Sequence, residues 1–248
     1  MALSPDANRL LATLDATWPA AAKVEAGPWT LREGRGGGSR VSAATIRGPW
    51  RPEDIAAAEK SMRLMGQQPL FMIRPGEMAL DRELAALGYE KRDVTNLWVC
   101  PIETLTDRKV PLVTAFTIWE PLAIMLELWT QGGIGEERRA VMDRCALPKT
   151  GLFGRVSDKP AGTGFAAVHD GIAMVHALLI AEAHRGKGLG GWMMRAAAFW
   201  AQRKGALWMS LAATESNVAA SALYSALRME IVGQYHYRIL NDAEGDDP

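Results

Sequence analysis

The sequence predicts an α/β (α+β) fold, with a mixed, mostly antiparallel central sheet flanked by helices. Three observations carry this expectation. Three strand-like runs follow one another, G-L-F-G-R-V-S-D, T-G-F-A-A-V-H and I-A-M-V-H-A-L-L-I, and the last two are joined by Asp170-Gly171, a two-residue hairpin signal. Beyond a glycine-rich loop the pattern then switches to helix, strand, helix and strand. The first hundred residues also mix short alternating runs with amphipathic helical stretches. With 248 residues and 48% apolar content, the chain can bury one large core or two modest ones.

In chain order, a helical pattern opens at Asn8 and runs to about Ala26, with Leu10, Leu11, Leu14 and Trp18 on one side. Two strands, W-T-L-R-E and V-S-A-A-T-I, are expected around the cluster Gly34, Gly36, Gly37 and Gly38. No helix pattern follows these glycines directly, so they read as a hairpin turn that uses positive φ. A helix near Pro52, a strand P-L-F-M-I, a helix D-R-E-L-A-A-L ending at Gly88 and a strand D-V-T-N-L-W-V-C come next. Pro101 and the polar run after it divide the chain into domains at 1–103 and 104–248.

The second part opens with a strand from Leu112 to Trp119, a helix from Pro121 to Trp129, a Gly-Gly turn and the helix E-E-R-R-A-V-M-D-R. After the three strands and the glycine loop come a helix from Leu189 to Lys204, closed by Gly205, and the strand L-W-M-S-L-A-A. The helix V-A-A-S-A-L-Y-S-A-L follows, then a final strand pair around I-V-G-Q-Y-H-Y-R-I-L and a polar, frayed tail N-D-A-E-G-D-D-P.

Composition excludes several classes of function. Lys plus Arg (28) balances Asp plus Glu (28), so there is no basic field to neutralise the phosphates of a nucleic acid. The most apolar stretch, 110–129, is broken by Glu120, Pro121 and Glu127, which argues against a membrane span. Cys100 and Cys145 have neither metal-type spacing nor a disulfide framework, so they read as buried apolar residues of a reducing, cytoplasmic compartment. No secretory leader is recognisable, no metal is expected, and the oligomeric state, monomer or homodimer, stays open.

The stretch H-R-G-K-G-L-G-G, His184 to Gly191, fits two nucleotide-binding signatures. Gly186, Gly188 and Gly191 spell G-x-G-x-x-G, and Arg185, Gly188 and Gly190 spell R-x-x-G-x-G. A dinucleotide fold needs its first glycine at the end of an opening parallel strand, with further βα units behind it. Here A-E-A-H-R separates Ile180 from Gly186, the feeding strand is a hairpin arm, and only 62 residues follow Gly186. The second parsing suits a diphosphate: a helix N-terminus presents unpaired N–H groups and a positive dipole end. Gly186, Gly188 and Gly190 let backbone approach phosphate, and Arg185 and Lys187 add charge.

With its surroundings, this loop resembles motif A of the GCN5-related N-acetyltransferase (GNAT) superfamily. The residues concerned are the hairpin-fed strand, R-x-x-G-x-G, a helix, a further strand and then N-x-x-A-x-x-x-Y as Asn217, Ala220 and Tyr224. The family continues the tyrosine with x-x-L-G-F, where this chain has S-A-L-R-M, with Arg228 and Met229 in place of glycine and phenylalanine. The resemblance implies acetyl-CoA as cosubstrate, lying in a V-shaped gap between the strand ending at Ile180 and the strand Leu207 to Ala213. Pantetheine would pair with backbone at Leu178, Leu179 and Ile180, the pyrophosphate would sit on Arg185, Gly186, Lys187, Gly188, Leu189 and Gly190, and Asn217 would contact the coenzyme arm or the strand end. Tyr224 would be the general acid for the departing thiolate, since a phenol of pKa about 10 is protonated at neutral pH.

The general base is expected at His176, which period-two counting places on one strand face with Leu178 and Ile180; Glu182, Ser210 and Glu215 are alternatives. Tyr235 and His236 either line the acceptor pocket or pack. The implied activity is direct acetyl transfer to a primary amine of a small molecule or peptide. The competing expectation is an acyl-CoA-binding sensor without turnover.

The first part carries signs of a degenerate copy of the same unit. R-E-L-A-A-L-G-Y-E (82–90) aligns with A-L-Y-S-A-L-R-M-E (222–230), with Leu84 at the place of Tyr224, and the run I-R-G-P-W-R-P-E-D lacks the coenzyme loop. A tandem arrangement is therefore expected, with a catalytically silent first half that shapes the acceptor pocket, against an unrelated α+β cap.

Overall fold

A computed structural model describes residues 3–241. The elements are, in order, α1 (Ala7–Thr17), β1 (Ala22–Ala26), β2 (Trp29–Glu33), α2 (Ser39–Ser42), β3 (Thr45–Ile46), α3 (Pro52–Leu64), β4 (Leu70–Ile73), α4 (Met78–Ala86) and β5 (Glu90–Pro101). They continue as β6 (Ala115–Ile118), α5 (Ala123–Gln131), α6 (Glu136–Arg144), β7 (Lys149–Val156), β8 (Lys159–His169), β9 (Ile172–Ile180), α7 (Leu189–Arg203), β10 (Trp208–Thr214), α8 (Val218–Ala226) and β11 (Glu230–Ile239). The expected mixed, largely antiparallel sheet with flanking helices is present. The expected tail lies outside the described residues, apart from Asn241.

Four local expectations change. The first helix stops at Trp18, before Pro19, and Ala22–Ala26 is a strand; proline disfavours helix at the residue before it. The glycine cluster does lead directly into a helix, the four-residue α2 capped by Gly38 at φ 95°. The expected strand shrinks to Thr45–Ile46, which still pairs antiparallel with Trp29–Thr30. Leu112 to Thr114 form a turn, so β6 is shorter than expected. The final strand pair is one continuous strand, β11. The hairpin at Asp170-Gly171 is a two-residue loop with φ of 44° and 71°, the double positive that a type I′ turn requires. Ser157-Asp158, at 49° and 63°, makes the same turn between β7 and β8 without a glycine.

The described residues divide into two compact units. Unit 1 comprises the described residues up to Pro19, Asn96–Ala213 and Asn217–Gly233; unit 2 comprises Ala20–Thr95, Thr214–Ser216 and the described residues from Gln234 on. In unit 1 the strand order runs β5-β10-β9-β8-β7-β6, and α1 and α7 pack on β8 and β9. Its core gathers Met193, Met194, Ala197 and Trp200 of α7 against Leu152, Ala166, Val175 and Leu211. In unit 2 the sheet β1-β2-β3 and the pair β4–β11 enclose Trp29, Ile55, Met62, Phe71, Leu80, Leu84 and Tyr89.

The composition of the units has a topological cause. The run α3-β4-α4-β5 repeats the order of α7-β10-α8-β11. In unit 1, β10 lies beside β5, the last strand of the first run, and Ile102 N–H donates to Leu207 O at 2.9 Å where the pair ends. In unit 2, β4 pairs with β11, the last strand of the second run, from Leu70↔Ile239 to Ile73↔His236. Each unit is completed by the terminal strand of the other run.

Candidate active site

The site is built in unit 1 from the end of β9, the start of α7 and the face of α8. Strands β9 and β10 are parallel and in register from Ile172↔Trp208 to Val175↔Leu211, where the register ends. One residue later β9 bulges. Thr163 of β8 opposes Leu179 while Phe165 opposes His176, and Ala177 takes φ 49°. The bulge is pinned from α5, whose buried Trp129 donates its indole N–H to Ala177 O at 3.0 Å.

This bulge corrects the face count made from the sequence. Thr163 and Phe165 share a face of β8, so their partners Leu179 and His176 share that same face. Leu178 and Ile180 point the other way, into the core with α7; a Cβ on Gly162 would meet Ile180 Cδ1 at 2.8 Å and Met193 Sδ at 2.8 Å. His176 is therefore on the opposite face from Leu178 and Ile180, because the extra residue shifts the alternation by one. It is 2% exposed, its ring stacks on Trp18 at 5.0 Å, and Nε2 lies 2.9 Å from Thr17 Oγ1.

The loop beyond β9 is a short 3₁₀ turn, Glu182–His184, followed by Arg185 to Gly188. Gly186 and Gly188 take φ of 73° and 75°, and a Cβ on either would meet nothing within 4 Å. Gly188 caps α7 from the left-handed region, no side chain caps that helix, and its first turn holds no acid. Arg185 and Lys187, both exposed, fold back onto Ile180 O at 3.3 Å and Ala183 O at 3.1 Å, which keeps two cations beside the helix start. Leu189 is 3% exposed and contributes only backbone here. Gly190 serves a different purpose: a Cβ would strike Leu223 Cδ2 of α8 at 2.9 Å, so this glycine sets the approach of two helices.

Asn217 spends its side-chain oxygen on the N-cap of α8, accepting from Ala220 N–H at 3.0 Å. Tyr224, 7% exposed, packs at 5.8 Å against the ring of Trp98, whose buried indole nitrogen has no partner among the described residues. Sequence reasoning missed Trp98 and Trp129, since neither stands near a motif. The helix end after Tyr224 closes with Arg228 at φ 57° and Met229 N–H on Tyr224 O at 3.0 Å. The aligned end of α4 has Gly88 at φ 86° and Tyr89 N–H on Leu84 O at 2.9 Å, the same cap.

The other candidates are engaged elsewhere. Ser210 is fully buried and donates to Ala173 O at 3.0 Å, tying β10 to β9. Glu182 sits in the 3₁₀ turn, and Glu215 lies in unit 2 with its N–H on Val94 O at 2.7 Å. Tyr235 and His236 also belong to unit 2. Arg40 Nε donates to Tyr235 Oη at 3.2 Å, and His236 Nε2 and Arg238 Nε each lie 2.7 Å from Asp81 Oδ1. Burial holds the His236 imidazole below its usual pKa despite the Asp81 carboxylate. Both cysteines are free and buried, and burial pushes the Cys100 thiol up to about 12. Among the described residues no group of three or more His, Cys, Asp or Glu could hold a metal ion, and no helix is long and apolar enough to cross a membrane.

Comparison with known proteins agrees with this geometry. A family model described as the acetyltransferase (GNAT) family matches residues 121–227. The chain is 28% identical over 235 residues to the uncharacterized N-acetyltransferase YobR of Bacillus subtilis (strain 168), covering 90% of this chain and 94% of that protein. Among solved structures it is similar to a GCN5-related N-acetyltransferase from Kribbella flavida, with TM-score 0.68, 19% identity and 99% of each chain covered. It is also similar to a tandem GNAT protein from the clavulanic acid biosynthesis pathway, with TM-score 0.62, 14% identity, 95% of this chain and 89% of that one covered.

Proposed function

Because residues 121–227 belong to the acetyltransferase (GNAT) family, we propose that the chain transfers an acetyl group from acetyl-CoA directly to a primary amine of a small molecule or peptide. The observation that carries this reading is that, in unit 1, the β9–β10 register ends at Val175 and the chain then leads, through the loop after β9, into the uncapped, acid-free helix start at Leu189. A thioester arm fits the first and a diphosphate the second.

In this reading the α7 backbone around Gly188 to Gly190, with Arg185 and Lys187, holds the pyrophosphate, and the backbone of Leu178 to Ile180 pairs with the pantetheine amides. A backbone N–H at the end of β9 polarises the thioester carbonyl. The acceptor nitrogen attacks that carbonyl, the C–S bond breaks, and Tyr224 gives its phenolic proton to the leaving thiolate. The proton lost by the amine passes to His176, directly or through water. Residues 104–248 hold this machinery, and 1–103 are a degenerate, silent copy whose last strand completes the catalytic sheet. The tandem neighbour and the repeated α-β-α-β order support that division.

Titration calorimetry with acetyl-CoA tests the reading: micromolar binding is expected, and none would end it. Turnover against a panel of primary amines, comprising aminoglycosides, polyamines, amino acids and short peptides, separates a transferase from a sensor that binds without reacting.

A further inference from the structure

We propose that Trp129 is a positioning residue of the acetyl-transfer site: from α5 its indole N–H holds the Ala177 carbonyl, and this sets the direction of the backbone that receives the thioester arm. The proposal rests on the reading that Leu178 to Ile180 pair with the coenzyme, and goes beyond it by naming the side chain that keeps this backbone in place.

The bulge in β9 needs a holder. Ala177 takes φ 49°, the left-handed conformation that a one-residue bulge of this kind normally gives to glycine, and its Cβ makes that conformation unfavourable. Nothing in the local run I-A-M-V-H-A-L-L-I favours it, so the surrounding structure has to impose it. Helix α5 does so at two points. Trp129 donates to Ala177 O at 3.0 Å, and one turn later Gly132 lies so close to β9 that a Cβ there would run into the Leu179 side chain. Trp129 is itself anchored. Its ring is fully buried, and its carbonyl accepts Ile134 N–H at 2.8 Å while Gly133, at φ 77°, donates to Thr130 O at 3.1 Å, the paired bonds of a Schellman cap.

The hold acts on the part of β9 that matters for the chemistry. The peptide between Ala177 and Leu178 is planar, so fixing its C=O toward Trp129 also fixes the Leu178 N–H, which points the opposite way. This peptide follows closely on Val175, where the β9–β10 register ends. The side chains beyond it are already engaged, Leu178 and Ile180 against the core that contains α7, and Leu179 against Gly132. What the segment can offer a thioester arm is therefore backbone, and the orientation of that backbone is what Trp129 controls. Such control has a large leverage on rate, because a displacement of about 1 Å at a reacting centre can cost on the order of a hundredfold.

Three forms of the full chain test this: the parent, Trp129→Phe, which keeps a buried ring without the N–H, and Trp129→Phe combined with Ala177→Gly, in which glycine adopts the bulge unaided. With the best panel amine, Trp129→Phe should lower kcat about ten- to a hundredfold. The dissociation constant of acetyl-CoA should change little, since the pyrophosphate is held at α7. Adding Ala177→Gly should recover most of the lost rate, which a mere packing defect would not allow. In ¹⁵N-leucine-labelled protein the Leu178 amide signal should move in Trp129→Phe and return toward its parent position in the double variant. Should Trp129→Phe not fold, benzothienylalanine at position 129, which keeps the bicyclic shape without an N–H, takes its place with the same expectations. A parent-like kcat in the variant without the N–H, or a loss that Ala177→Gly leaves untouched, overturns the proposal. A parent protein that neither binds acetyl-CoA nor acetylates any amine overturns the transferase reading and this proposal with it, whereas an active parent beside an equally active Trp129→Phe removes only the role of Trp129.

Discussion

The helices α7 and α3 hold the same place in the two α-β-α-β runs, yet they begin in opposite ways. Helix α7 starts at Gly188 in the left-handed region with no side-chain cap, no acid in its first turn, and Arg185 and Lys187 beside it. Helix α3 starts at Pro52, which has no N–H to offer, and carries Glu53 and Asp54 in its first turn; the Asp54 carboxylate accepts Arg51 N–H at 2.8 Å. One N-terminus has no carboxylate of its own, and the other supplies two. The next helices differ similarly, Tyr224 on α8 facing Leu84 on α4 in the alignment, while their C-caps remain alike. Within a repeated framework, a few side chains at the helix starts and on the following helix set the two runs apart.

The comparison can be broken at each of these points. The largest effect is expected for Tyr224→Phe, which should lower kcat by about 10²–10⁴-fold with coenzyme affinity nearly unchanged. Unchanged turnover would remove the phenol from the chemistry. Gly188→Asp puts a carboxylate and a Cβ at a φ of 75° where the pyrophosphate is proposed to bind, and coenzyme affinity should drop about a hundredfold by calorimetry. A dissociation constant within threefold of the parent's would move the diphosphate elsewhere.

Asp54→Ala, the counterpart in α3, should cost about 1 kcal/mol of stability in urea unfolding and leave coenzyme affinity untouched. A change in affinity would show that the first copy is not silent toward the coenzyme. The smallest effect belongs to Arg228→Gly, which relieves a non-glycine residue at φ 57° and should stabilise the protein by less than about 1 kcal/mol. A loss of stability would mean that the Arg228 side chain does more than fill the cap.

Much of this was legible in local patterns. The Asp170-Gly171 turn, the α7 start after R-x-x-G-x-G and the alignment of 82–90 with 222–230 all reappear in the structure, because turn chemistry and capping act over a few residues. The face of His176 was not legible, since an inserted residue such as Ala177 leaves no mark in an apolar run. Nor was the role of Gly190 visible as one of packing, because Leu223 is 33 residues away.

The sequence by itself determined the class of fold, the glycine loop before α7, the helix that carries Tyr224 and the likeness of 82–90 to 222–230, all features in which neighbours in the chain act on one another. Tertiary structure alone decided that β5 completes the sheet beside β10 and that α1 lies on β8 and β9. It alone set Thr17 against His176 and Trp98 against Tyr224. These are pairings over long separations, where strand order, a one-residue bulge and the burial of aromatic rings choose the partner, and no spacing along the chain records that choice.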